Sequence, residues 1–134
     1  MEKFECYFDG SCEPVNPSGN MGCGIYIKGK ESVFTDSISI PAEKSNTNNI
    51  AEYMAFIRVL EIMKYEQSSE INIYGDSMLV VKQMNDMWRI KKGAYKEYAL
   101  KAKLLLKDLK QKNAVTISWI PRELNTNADE LSKE

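Results

Sequence analysis

The stretch KFECYFDGS, residues Lys3–Ser11, decides how the fold begins. Apolar residues alternate with other residues in its first half, which is the pattern of a β-strand with one buried face. The alternating apolar positions are Phe4, Cys6 and Phe8. We therefore predict a strand over Lys3–Phe8 that ends at Asp9. An aspartate before a glycine is also an ordinary turn residue, and for Asp9 alone that interpretation is at least as good as a functional one.

The rest of the chain gives four further strands and four helices, in the order β-β-β-α-β-α-α-β-α. The predicted strands cover Gly22–Lys28, Ser32–Ile40, Glu70–Tyr74 and Ala114–Ile120. The predicted helices cover Asn48–Tyr65, Asp76 to about Asn85, Tyr95–Gln111 and Asn125–Lys133. Residues Gly10–Met21 are rich in Pro, Asn and Gly and are predicted to form a loop. This order predicts one α/β domain over residues 1–134. Its five-stranded mixed sheet has a three-strand antiparallel meander and two parallel strands, flanked by helices.

The composition excludes several kinds of site. A chain of 134 residues with 43% hydrophobic and 28% charged residues suits one globular core. There is no histidine, which excludes a Ser-His-Asp triad and His-ligated zinc. The cysteines are odd in number and form no CxxC pair, which favours a reducing compartment, and we expect a cytoplasmic location. No signal peptide, membrane association or obligate protein partner is expected.

Charge is distributed unevenly, although the net charge is only −1. The segment from Arg89 to Lys112 contains nine basic residues against Glu97 and Asp108. A basic flank beside an acidic centre can hold phosphates near metal ions. The alternative is a solvated helix face, which we favour for the later lysines of the segment.

Four acidic residues lie where predicted elements begin or end, at Asp9, Glu52, Asp76 and Asp129. Each has an ordinary explanation by itself, as a turn residue, a helix-dipole partner, an N-cap or a surface charge. Together they suggest one acidic cluster, which is costly without cations because crowded carboxylates raise one another's pKa. Mg²⁺ binds oxygen ligands together with substrate phosphates. We therefore predict a two-metal site for cleaving phosphodiesters.

The strings around these carboxylates resemble those of type 1 ribonuclease H over the whole chain. They are Phe8-Asp9-Gly10-Ser11-Cys12 with Asn16-Pro17, Thr47-Asn48-Asn49 before Glu52, Asp76-Ser77, and Trp119-Ile120-Pro121-Arg122 before Asp129-Glu130-Leu131. The resemblance implies a ribonuclease H fold and an endonuclease that cuts the RNA strand of an RNA–DNA hybrid. It implies two Mg²⁺ ions, with Mn²⁺ as a substitute, held by Asp9, Glu52, Asp76 and Asp129. The implied products carry 5′-phosphate and 3′-hydroxyl ends.

The resemblance also implies substrate contacts outside the acidic cluster. The implied residues are Gly10, Ser11, Asn16, Thr47, Asn48, Asn49, Trp88, Lys91, Lys92 and Arg122. The asparagine amides would recognise the 2′-hydroxyl that distinguishes RNA from DNA. Thr47 would help to hold a DNA phosphate, and Gly10 would let the backbone approach the RNA. Trp88 and the lysines would lie against the DNA strand. The alternatives are loop and cap chemistry for the asparagines and a core position for Trp88.

The end of the chain departs from the family pattern. Many relatives carry a histidine in the loop before the last aspartate, whereas here that loop is Arg122–Asn127. Arg122 or Glu123 could take its place, although an arginine cannot titrate near neutrality. The last helix is short, and Leu131 is its one clear apolar anchor after Asp129. We therefore expect Asp129 to be the most mobile of the four carboxylates.

Two other functions stay open at this point. The first is a module that binds hybrids or double-stranded RNA without cutting them, which four intact carboxylates disfavour. The second is a doubly wound nucleotide-binding domain, which the absence of a glycine-rich phosphate loop disfavours. A history as part of a reverse transcriptase also stays possible.

Overall fold

Five strands and four α-helices follow one another in the predicted order. The strands are β1 Lys3–Glu13, β2 Asn20–Lys28, β3 Val33–Ile40, β4 Glu70–Gly75 and β5 Ala114–Trp119. The helices are α1 Asn48–Met63, α2 Met78–Met84, α3 Lys96–Lys112 and α4 Thr126–Ser132, with a 3₁₀ turn at Arg122–Leu124. The structure is a computed structural model that describes residues 1–134. It confirms the predicted α/β class with a five-stranded mixed sheet.

The sheet places β1 at its centre, in the strand order β3-β2-β1-β4-β5. β1 and β2 are antiparallel, as are β2 and β3, whereas β4 runs parallel to both β1 and β5. Tyr7 is therefore opposite Tyr26 on one side and Tyr74 on the other. Because β1 and β4 are parallel, the residues that follow Tyr7 and Tyr74 lie at the same edge of the sheet. This pairing brings Asp9 near Asp76.

The predicted loop over Gly10–Met21 is wrong at both ends. β1 continues to Glu13 and β2 begins at Asn20, so the connection covers only residues 14–19. The ladder runs without a break from Asp9 opposite Gly24 to Glu13 opposite Asn20. The local Asp-Gly-Ser string is typical of a turn, but cross-strand pairing with β2 decides its conformation. Asp9 thus lies within a strand and not at its end. The other strands and helices begin and end within two residues of their predicted bounds.

Helix α1 packs across one face of the sheet and begins at a defined position. Thr47 is its N-cap, and the Thr47 hydroxyl accepts a hydrogen bond from the Ile50 amide at 3.1 Å. The ring of Phe56 packs edge-on against Phe8 of β1, with 5.4 Å between the centroids. Most of the remaining α1 core residues are fully buried. The cap and the core contact together fix where Glu52, one turn into the helix, meets the sheet.

Helix α4 packs on the opposite face, and glycines make both helix contacts possible. Side chains alternate between the faces of a strand, so Gly10 meets α1 while Asp9 faces α4. A Cβ atom at Gly10 would overlap the backbone of Ala51, and one at Gly24 would overlap the carbonyl oxygen of Ala128. Leu131 is the one apolar residue after Asp129, as expected, but α4 is held by more than Leu131, because Ala128 is fully buried and the backbone of the helix lies directly on Gly22 and Gly24 of β2. None of the helices has the length and apolar composition needed to cross a bilayer.

Candidate active site

Three carboxylates, carried by different parts of the chain, meet at the C-terminal end of strand β4. Asp9 lies within β1, Glu52 lies in α1, and Asp76 follows the last residue of β4. One carboxylate oxygen from each lies within 4.8 Å of the others. The parallel pairing of β1 with β4 and the close approach of Gly10 to α1 create this arrangement. The predicted acidic cluster is therefore present for these three residues.

Burial makes the negative charges of this cluster costly. Asp9 is 5% exposed and Glu52 is 8% exposed. Burial, the charge of Asp76 and a hydrogen bond with Asp129 together raise the pKa of Asp9 to about 8, although a hydrogen bond with Glu52 lowers it in part. Burial and the charges of Asp9 and Asp76 raise the pKa of Glu52 well above its usual range. The buried Glu52 Oε2 has no hydrogen-bond partner. Such an oxygen-only, electron-rich set suits a hard divalent cation, which would supply the missing positive charge.

Asp129 lines the same cleft from the first turn of α4. The cleft has a volume of about 200 Å³ and contains all four predicted carboxylates together with Gly10, Ser11, Asn48 and Arg122. One Asp129 oxygen lies 3.5 Å from Arg122 Nη2 and 3.5 Å from Lys133 Nζ. Burial opposes ionisation, but the hydrogen bond with Asp9 and the charges of Lys133 and Arg122 hold the pKa of Asp129 below its usual value. Asp129 thus stays charged more readily than the buried Asp9 and Glu52.

Two residues that the sequence did not single out hold the carboxylates in place. Asn125 is 1% exposed, and its Nδ2 donates to the Phe8 carbonyl at 2.9 Å and to Asp76 Oδ1 at 3.3 Å. The buried Ser132 hydroxyl lies 3.3 Å from Asp9 Oδ2 and 2.7 Å from the Asp129 carbonyl. An asparagine in a polar loop and a serine near a helix end carry no sequence signal of such a role. The loop before α4 is therefore tied to β1.

The predicted RNA-contacting residues form a polar rim beside the cleft. Asn16 Nδ2 donates to Asn48 Oδ1 at 2.7 Å, and the main-chain N–H of Asn48 donates to Asn16 Oδ1 at 3.1 Å. Both side chains are exposed and Asn48 lines the cleft, whereas Thr47 and Asn49 lie outside it. The Ser11 hydroxyl donates to the Ser132 carbonyl at 3.0 Å. A contact of Gly10 with RNA stays a prediction, because the close approach that the structure gives Gly10 is with α1.

The basic loop, residues 88–92 between α2 and α3, lies outside the cleft. Trp88 is 48% exposed, so its alternative position in the core is excluded. Lys91 and Lys92 are also exposed. Trp88, Arg89 and Lys91 line a concavity of about 540 Å³ with Leu79, Gln83, Met87 and Tyr95. Those predicted binding residues that line a cavity thus fall on two surfaces, one at the carboxylates and one at this concavity.

The whole chain is similar to the proteins of one family. The RNase H family model matches residues 1–134. A ribonuclease H of Francisella philomiragia is 30% identical over 96% of this chain and 87% of its own length. A bifunctional protein of Mycobacterium tuberculosis is 33% identical over 66% of this chain, and the match spans only 23% of that protein. The structure of LC11-RNase H1 in complex with an RNA/DNA hybrid superposes with a TM-score of 0.82 at 29% identity, covering 97% and 94% of the two chains.

Proposed function

Because the chain belongs to the RNase H family, we propose that it is an endonuclease that hydrolyses the RNA strand of RNA–DNA hybrids. The observation that carries the proposal is the meeting of Asp9, Glu52 and Asp76 within 4.8 Å in a cleft that Asp129 also lines. A similar chain has been solved with an RNA/DNA hybrid bound, which supports this substrate class. The products would carry 5′-phosphate and 3′-hydroxyl ends.

The four carboxylates would hold two Mg²⁺ ions, and Mn²⁺ would substitute for them. The oxygen-only donor set, the raised pKa of Asp9 and the orphaned Glu52 oxygen all fit a hard cation. Bound ions of this kind activate a water and stabilise the leaving oxygen of a phosphodiester. The residues of the chain supply position, since Asn125 orients Asp76 and Ser132 orients Asp9.

The polar groups around the cleft would orient the RNA strand. Asn16 and Asn48 already pair with each other, which leaves the side-chain Nδ2 of Asn48 as a donor and the remaining side-chain carbonyl lone pairs as acceptors for a 2′-hydroxyl. Arg122, exposed and 3.5 Å from Asp129, would contact the scissile phosphate or the departing product. We expect Arg122→Ala to slow multiple-turnover cleavage more than single-turnover cleavage, without a matching loss of stability.

A gel assay with end-labelled RNA tests the proposal. The RNA is offered in a hybrid, in an RNA duplex and as a single strand, each with Mg²⁺, Mn²⁺ or EDTA. We expect cleavage of the hybrid with either metal and none in EDTA. Asp76→Asn serves as the matched control, because it keeps the shape of the side chain but removes its charge. Undiminished cleavage in EDTA or by the variant would exclude the metal-dependent mechanism, and hybrid binding without cleavage would favour the non-catalytic module.

A further inference from the structure

A buried glutamine lies beneath the basic loop and contacts its main chain. Gln83, in the last turn of α2, is 1% exposed although its side chain is polar. Its Nε2 donates to the Arg89 carbonyl at 2.8 Å and to the Tyr95 hydroxyl at 3.1 Å. The same hydroxyl accepts a hydrogen bond from the Lys91 amide at 3.3 Å. Two side chains thus hold the main chain of the loop at alternate residues.

The side-chain carbonyl oxygen of Gln83 is held by a core residue. The Tyr53 hydroxyl donates to Gln83 Oε1, and Tyr53 is fully buried in α1. Burial, with the nearby Tyr95, raises the pKa of Tyr53, so its hydroxyl stays protonated and able to donate. The Tyr53 and Tyr95 rings stack with 5.9 Å between their centroids and 4° between their planes. The network therefore runs from α1 through α2 to the loop and the start of α3.

The loop has little other main-chain support. Its entry is fixed at the end of α2, where Asp86 has a positive φ of 60° and the Met87 amide donates to the Lys82 carbonyl at 2.8 Å. No backbone–backbone hydrogen bond involves residues 89–92. The Ile90 side chain between Arg89 and Lys91 is partly buried and packs against the core, but the hydrogen bonds that Gln83 and Tyr95 make are what holds the main chain of Arg89 and Lys91. Losing them would loosen the main chain on both sides of Ile90, in a segment with no ladder or turn of its own.

We infer that Gln83 and Tyr95 are positioning residues that hold the basic loop in the arrangement that binds the DNA strand of the hybrid. This inference rests on the proposed function for its substrate. Neither residue lines the acidic cleft, so neither acts on the reacting phosphate. Their contribution is pre-organisation, because a loop that is ordered before binding loses less conformational freedom on binding. They should therefore affect the KM for the hybrid and leave kcat unchanged.

Tyr95→Phe is the most direct test, because it keeps the ring that stacks on Tyr53 and removes only the hydroxyl. We expect the KM for a hybrid to rise roughly three- to tenfold, which is the size of one or two lost hydrogen bonds, with kcat unchanged. Ile27→Val, in the core of β2, is the matched control for lost stability, and its KM should equal that of the wild type. A change in kcat without a change in KM would overturn the inference.

A double-mutant cycle separates positioning from a general loss of structure. If Tyr95 acts through the loop, Tyr95→Phe should raise KM less in a Lys91→Ala background than in the wild type. The slope of log affinity against log salt should also shrink in Tyr95→Phe, because loop contacts to phosphates are lost. The inference would be contradicted if the effects of Tyr95→Phe and Lys91→Ala on log KM were fully additive and the salt slope of Tyr95→Phe equalled that of the wild type.

Trp88 gives a readout that needs no substrate. In a Trp119→Phe background Trp88 is the remaining tryptophan, and its fluorescence anisotropy reports how firmly the loop is held. We expect Tyr95→Phe to lower this anisotropy. If the wild type fails to cleave hybrids but the anisotropy falls, the proposed function is wrong and the positioning is supported. If the wild type cleaves hybrids but anisotropy and KM both stay unchanged, the positioning is wrong and the function is supported.

Discussion

The acidic cleft and the basic loop adjoin opposite ends of α2 and are held in opposite ways. The cleft takes its carboxylates from β1, α1, α4 and the end of β4, and its side chains are anchored by buried groups such as Asn125. The basic loop takes its charges from three of five consecutive residues, Arg89, Lys91 and Lys92, which are exposed. Its main chain is supported from below by Gln83 and Tyr95. Groups that must meet within a few ångströms are placed by packed elements, whereas groups that contact a long charged ligand can lie on a loop.

Removing a carboxylate from the cleft should have the largest effect. We expect Asp9→Asn or Asp76→Asn to lower the cleavage rate more than about 100-fold, beyond the typical effect of changing a group that only orients a ligand. The affinity for the hybrid should change far less, since the basic loop is untouched. Single-turnover cleavage and fluorescence anisotropy of a labelled hybrid measure the two quantities. A variant with near wild-type cleavage would show that the cleft is not the catalytic centre.

Asn125→Ala should have the next largest effect, because Asn125 joins β1 to Asp76 without lining the cleft. We expect a loss of roughly 10- to 100-fold in activity or in metal affinity, as for other groups that orient metal ligands. Measuring the cleavage rate as a function of metal concentration separates a loss of activity from a loss of metal affinity. Asn127→Ala, an exposed change two residues away in the first turn of α4, is the matched control and should stay near the wild type. Equal behaviour of the two variants would remove Asn125 from the site.

Neutralising the basic loop should have a smaller and different effect. We expect Lys91→Ala and Lys92→Ala to weaken hybrid binding several-fold while kcat is kept. If each lysine contacts one phosphate, the slope of log affinity against log salt should shrink by about 1 per lysine. Lys30→Ala, in the turn between β2 and β3, is the control and should leave the slope unchanged. A slope that does not move in the loop variants would make these lysines an ordinary solvated surface.

The smallest effect concerns stability of the metal-free protein and sharpens the contrast between buried and exposed charge. The folded pKa of Asp9 is raised from 3.8 to about 8, so between these values the folded state binds a proton that the unfolded state has released. The free energy of unfolding in EDTA should therefore fall as pH rises from about 4 to about 8. Urea unfolding across this range measures it. Asp9→Asn should flatten the dependence, and Asp9→Asn/Glu52→Gln should flatten it further. An unchanged slope in the double variant would mean that the cluster does not determine the pH dependence.

The exposed loop makes no comparable contribution, and this follows from where its charges lie. Lys91 and Lys92 stay in water in both the folded and unfolded states. Folding thus changes their surroundings little, and their replacement should leave urea unfolding unchanged within about 0.5 kcal/mol. The two regions should therefore separate cleanly, one affecting stability and catalysis together and the other affecting binding alone.

The sequence by itself determined the elements and the identity of the carboxylates. Alternating apolar residues predict β1, and helical spacing predicts α1, because these periods follow from the geometry of a single strand or helix. The strings around Asp9, Glu52, Asp76 and Asp129 were sufficient to suggest an acidic cluster. The structure brings these residues to one cleft, and their roles as ligands stay a prediction for experiment to test.

Only the tertiary structure decided how far β1 extends and what supports each site. The string from Asp9 to Glu13 is typical of a turn, but pairing with β2 and the packing of α1 against Gly10 make it a strand. In the sequence, ordinary polar residues are all that Asn125, Ser132 and Gln83 look like. Asn125 and Ser132 gain their roles from partners distant in sequence, and Gln83 gains its role because it is buried beneath the basic loop. Local periodicity depends on neighbours along the chain, which the sequence contains. Burial and long-range hydrogen bonds depend on which elements pack together, and that is fixed only when the sheet and helices assemble.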